Sequence, residues 1–138
     1  MIAIADAIVP GDGEHPAASE IDIVPKLERW VSSTPQRLHL YKREWRLFAA
    51  GLRLRLSFAG DRAHSEVLAP LLEQWFEAFR TQPTPDGHAR FFEQLRQDVL
   101  RVYYASPAGW ASLGYPGPAF QQRGDGTVEF ERQLPRPE

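Results

Sequence analysis

The sequence predicts an all-α fold: a compact array of about five helices with an irregular Gly/Pro/aromatic C-terminal loop and tail. Three observations predict it. Apolar residues recur at three- and four-residue steps through most of the chain, which places them on one side of a helix. Three hydroxyl–proline pairs, Thr34-Pro35, Thr84-Pro85 and Ser106-Pro107, each offer a capping side chain followed by a residue whose φ is already helical. Strand-like alternation is confined to Val128, Phe130 and Leu134, after Asp125-Gly126. The helical domain is placed at residues 1–120 and the tail at 121–138.

Ile2, Ile4, Ile8 and Val9 predict a short first helix, ended by Pro10-Gly11-Asp12-Gly13. Ser19 is read as the cap of a second helix, with Asp22 completing a shortened capping box. Ile21, Val24, Leu27 and Val31 form its stripe beside Trp30, and Pro25 should kink or split it. From Thr34-Pro35 a long helix follows, its stripe running Leu38, Tyr41, Trp45, Phe48, Leu52, Leu56 and ending near Ala59-Gly60. Val67, Leu68, Leu71, Leu72, Trp75, Phe76 and Phe79 predict a fourth helix, which starts or kinks at Pro70. Thr84-Pro85 opens a fifth, with Asp86 favourable at the positive end of its dipole. Its stripe is Phe92, Leu95, Val99, Val102 and Tyr103, widened by Phe91, Leu100 and Tyr104. Ser106-Pro107 leads into a short turn carrying Trp110.

The stretch from Trp110 to Gly124, WASLGYPGPAFQQRG, departs from this pattern. Its glycines and prolines cannot sustain a long helix or a central strand, so it is read as an irregular loop bearing Trp110, Leu113, Tyr115 and Phe120. Either it folds back to plug the helical array, or it offers anchors to another protein, since interfaces favour Trp and Tyr.

Composition narrows the chemistry. The 138 residues contain no Cys, which removes disulfides, thiolate nucleophiles and cysteine–zinc sites. A net charge of −2 gives no global attraction to nucleic acid. No apolar run reaches the roughly 20 residues that span a bilayer. His15, His39, His64 and His88 lack the spacing of a metal-binding helix, and there is neither a nucleophile elbow nor a phosphate-binding glycine loop. Glu66, Glu73 and Glu77 read as a solvated acidic face, and Lys42, Arg43, Arg46 and Arg53 as a basic face of the long helix. These two helices are expected side by side, or the basic face meets an acidic partner. No catalytic, cofactor-binding or metal-ligating residue is assigned in this chain.

The run FFEQLRQDVLRVYYASPAGWASLGYPGPAF, from Phe91 to Phe120, resembles the gluconate 2-dehydrogenase subunit 3 family. The resemblance rests on Phe92, Glu93, Leu95, Arg96, Tyr103, Tyr104, Pro107, Trp110, Gly114, Tyr115, Pro116, Gly117 and Pro118. The opening IAIADAIVPGDGEHPAASEIDIVPKLERWV is similar to the family's N-terminus, an Ala-Asp-x-x-(Ile/Val)-Pro turn and an Ala/Gly-rich link. The stretch between Tyr104 and Trp110 is shorter than in many members.

The resemblance implies a non-catalytic small subunit that binds, stabilises or helps mature or export an FAD-dependent dehydrogenase of a sugar or polyol. FAD is expected in the larger partner and haem c in a possible third, cytochrome c subunit. The expected partner-binding residues are Trp110, Leu113, Tyr115, Pro116, Pro118 and Phe120. The chain as written carries no leader, so it is expected in the cytoplasm as it stands, or in the periplasm if co-exported with its partner. The rival expectations are a stand-alone helical scaffold or regulator, and a small enzyme using Asp98, Tyr103 or His88.

Overall fold

The computed structural model describes residues 1–58 and 64–115, with side chains described for all but 64–66. Among these described residues six α-helices run in order: α1 (Ile2–Ile8), α2 (Ile23–Ser32), α3 (Pro35–Ser57), α4 (His64–Thr81), α5 (Gly87–Tyr104) and α6 (Pro107–Ser112). A single 3₁₀ turn, Ala18–Ile21, precedes α2. The all-α expectation is met among the described residues. The predicted boundary at residue 120, the Val128–Leu134 alternation and the tail lie outside them.

Helix α5 is the axis of the array and packs against all five other α-helices. Its buried residues, among them Phe91, Phe92, Leu95, Val99 and Tyr103, occupy more than one side of the cylinder, as a helix surrounded by others requires. Tyr41 and Phe48 of α3 meet it through aromatic edges: Phe91 lies 5.2 Å from the Tyr41 ring and 5.3 Å from that of Phe48. Leu68, Leu71, Leu72 and Trp75 of α4 complete the same core. Trp75 and Phe48 are 4.9 Å apart, so three elements share one aromatic cluster.

Several local expectations are corrected. Ser19 is not a cap: its N–H donates to Asp6 Oδ1 at 2.8 Å, fastening the 3₁₀ turn to α1. The carboxylate that serves this turn is Glu20, which accepts from Ala17 N–H at 2.6 Å. Asp22 turns the chain in the left-handed region (φ +53), and α2 begins only at Ile23. Pro25 therefore falls in the first helical turn, where its missing N–H breaks no bond, and α2 is not split. Asp86, not Thr84, caps α5, accepting from Ala89 N–H at 2.8 Å. Pro70 lies inside α4, which excludes a start at that residue.

Helices α3 and α4 do lie against each other, through Phe48 and Trp75, but the arginine ion pairs among the described side chains run within single helices. Arg43 pairs with Glu44 on its own helix and Arg80 with Glu77 on its own. Arg96 and Glu93 pair along α5 in a two-pronged contact of 2.7 and 2.9 Å. The Arg96 hydrogen bond holds the Glu93 carboxyl below its ordinary range against the opposing effect of burial.

Candidate functional site

The end of α5 and the whole of α6 form the surface where the expected partner residues lie. Ser106 caps α6, its Oγ accepting from Gly109 N–H at 3.3 Å and donating to Tyr103 O at 2.5 Å. Pro107 follows at the first helical position. Gly109 lies directly on the end of α5: a β-carbon there would collide with Tyr103 O and stand 2.6 Å from Tyr104 Cα. Only glycine permits this approach.

Helix α6 closes in a Schellman arrangement. Tyr115 N–H donates to Trp110 O at 2.8 Å and Gly114 N–H to Ala111 O at 3.0 Å, with Gly114 at φ +64. The accompanying side-chain contact is between Trp110 and Tyr115, edge to face at 6.4 Å. Trp110–Ser112 is thus helical, not irregular loop, and the rest of the predicted loop beyond Tyr115 lies outside the described residues. Trp110 is half-buried, whereas Leu113 and Tyr115 are 65% and 50% exposed. Tyr104, packed edge-on against Tyr103, is exposed as well. Pro116, Pro118 and Phe120 lie outside the described residues.

Beside the start of α6 is an apolar groove of 410 Å³, lined by Trp30, Val102, Ala105 and Pro107 with Lys26 and Arg29. Sequence reading placed Trp30 merely beside a stripe and missed this groove. The signal was present only in Trp30, which sits beside its stripe; Val102 was read on the α5 stripe, where the structure leaves it half-buried. What joins them is the packing of α2 on α5, which no local pattern encodes. The indole is further held by Arg37 and Arg101, whose guanidinium carbons lie 4.2 and 5.2 Å from its ring.

The three candidate enzymatic residues occupy separate contacts. Asp98 is buried and accepts from Trp30 Nε1 (2.9 Å), Tyr41 OH (2.7 Å) and Gln94 Nε2 (3.1 Å). It joins α2, α3 and α5 through one carboxylate. Burial first, and then the bond to Asp98, push the Tyr41 phenol far above its ordinary pKa. Tyr103 OH donates to Pro16 O at 2.9 Å, closing the Gly-rich link over the end of α5. Its phenol is likewise raised, chiefly by burial. The His88 ring stacks on Trp75 at 5.7 Å and faces Gly51, with Nε2 buried and unpartnered. Among the described residues, no three His, Asp or Glu converge as a metal site.

Fold and surface together define a small all-α module with aromatic and aliphatic groups presented on a capped helix end. The chain belongs to the gluconate 2-dehydrogenase subunit 3 family, whose model matches residues 1–117. That membership implies a dehydrogenase as partner. No match was found among curated proteins or among solved structures.

Proposed function

We propose that this protein is the non-catalytic small subunit of an FAD-dependent dehydrogenase of the gluconate type, docking on the flavoprotein through the α6 end. The flavoprotein carries FAD and the chemistry; a cytochrome c subunit takes the electrons, and the complex works in the periplasm. This chain supports the stability or maturation of the larger one. The observation that carries the reading is the presentation of Leu113 and Tyr115, exposed on a backbone fixed by two cap hydrogen bonds in a chain of this family. Large apolar groups held in one conformation lose little entropy on binding, which is the property of an anchor.

The test is co-expression of the tagged chain with the larger subunit encoded by the same host. A yellow, flavin-bearing chain is expected to co-purify. Trp110→Ala and Tyr115→Ala, each checked for a wild-type melting temperature, are expected to weaken the complex roughly 30-fold, the size of a hot-spot loss. Full retention by both variants removes α6 from the interface. Failure of any flavoprotein to co-purify under gentle conditions favours a stand-alone scaffold instead.

A further inference from the structure

Charge is unevenly distributed over this fold. Helix α3 holds six of the sixteen Lys and Arg residues and one of the eighteen Asp and Glu, a balance of +5. The rest of the chain stands at −7. A near-neutral total therefore conceals one cationic helix on an otherwise anionic protein.

The same helix bears a second apolar stripe that no other described element covers. Leu47, Leu54 and Phe58, at its C-terminal end, are 64%, 58% and 81% exposed. At 100° per residue they fall within about 40° of one another, and the stripe is roughly 16 Å long. They point well away from Tyr41 and Phe48, which face α5. The exposed residues Arg43, Arg46 and Arg53 flank the stripe. Arg43 and Arg46 also wall a shallow, open depression of 600 Å³ with Trp45 in its lining.

We infer that the outer face of α3 is a membrane-surface site, which lays this protein on a bilayer rich in anionic lipid. Leu and Phe side chains in one line beside arginines supply the two things an anionic bilayer surface takes, apolar area for the acyl boundary and positive charge for the phosphates. The arginines meet lipid phosphates while their stems and the Leu and Phe side chains enter the acyl boundary. An acidic protein surface would satisfy the cations, but it would not require three large apolar groups in one line at the outermost face. The protein lies on such a surface: no helix among the described residues is long and apolar enough to cross it. This face is on a different helix from the α6 end, and the inference does not depend on the proposed flavoprotein contact.

The experiment is co-sedimentation of the full chain with vesicles of phosphatidylcholine alone and of phosphatidylcholine mixed with phosphatidylglycerol. Binding is expected only to the anionic vesicles, and it should fall as salt is raised. Arg46→Gln combined with Arg53→Gln is expected to lower the partition coefficient roughly 30-fold, about one kcal/mol for each cation near the surface. Leu47→Gln with Leu54→Gln should abolish insertion, read as loss of the bilayer-depth quenching that a reporter tryptophan on the stripe itself, introduced by Phe58→Trp, shows on anionic vesicles. Tyr115→Ala should bind vesicles as the wild type does. Equal binding to neutral vesicles, or anionic binding unaffected by either α3 double variant, overturns the inference. So does absence of vesicle binding when the α3 variants release the flavoprotein, which would make the face a protein interface.

Discussion

Asp98 carries more of the architecture than its size indicates. Its carboxylate takes hydrogen bonds from the indole of α2 and the phenol of α3, and a third from Gln94 on its own helix. Removing it leaves the buried Tyr41 hydroxyl and the part-buried Trp30 indole without an acceptor, each costing about 1–3 kcal/mol. Asp98→Ala is therefore expected to destabilise the protein by roughly 3–5 kcal/mol in urea titrations, whereas Tyr41→Phe should cost only about 1 kcal/mol because it leaves the carboxylate two partners. Comparable losses from both would remove Asp98 from this joining role. The residue shows why pattern reading stops where it does. Asp98 lies to one side of the stripe drawn through Leu95 and Val99, and its partners on α3 and α2 are 57 and 68 residues away in sequence.

At the scale of elements, proline at the first helical position located starts better than the capping side chain did: Thr34 precedes α3 without making a side-chain cap bond. Ser106-Pro107 marked the point where α6 begins, though as a short turn and not a helix, and Pro35 marked the start of α3. The TPD sequence at 84–86 holds two competing caps, and Asp86 prevails because its carboxylate reaches Ala89 N–H. Ser19 failed as a cap because its backbone was claimed by Asp6 from another element. Glycines divide in the same way. Gly114 is readable from sequence as a helix terminator, whereas Gly109 and Gly51 matter through contacts with α5 that are set by tertiary packing. Gly114→Ala places a side chain at φ +64, which costs about 1–2 kcal/mol. The expected outcome is fraying of α6 alone, seen as faster amide exchange at Gly114 and Tyr115 with exchange in α5 unchanged. Gly109→Ala should instead shift α6 bodily and alter Trp110 fluorescence. An unchanged Trp110 environment in that variant would contradict the close approach described above.

On the scale of the whole molecule, α5 touches every other α-helix, so little of the fold is free to melt independently. A chain of 138 residues organised in this way should unfold as one unit. Trp30, Trp45, Trp75 and Trp110 report from four different helices. Single-tryptophan variants, with Phe at the other three positions, are expected to give coincident denaturant midpoints with far-UV circular dichroism. An early transition for Trp110 alone would instead mark α6 as a separate unit.

One residue ties the N-terminal link to the cap of α6. The Tyr103 hydroxyl holds the Pro16 carbonyl, and the Tyr103 carbonyl receives both the N–H and the hydroxyl of Ser106. The Gly-rich link near the N-terminus and the cap of α6 are thus hung from a common peg. The two attachments use different atoms of Tyr103, so Tyr103→Phe would free the N-terminal link while the main-chain carbonyl keeps its hold on the α6 cap.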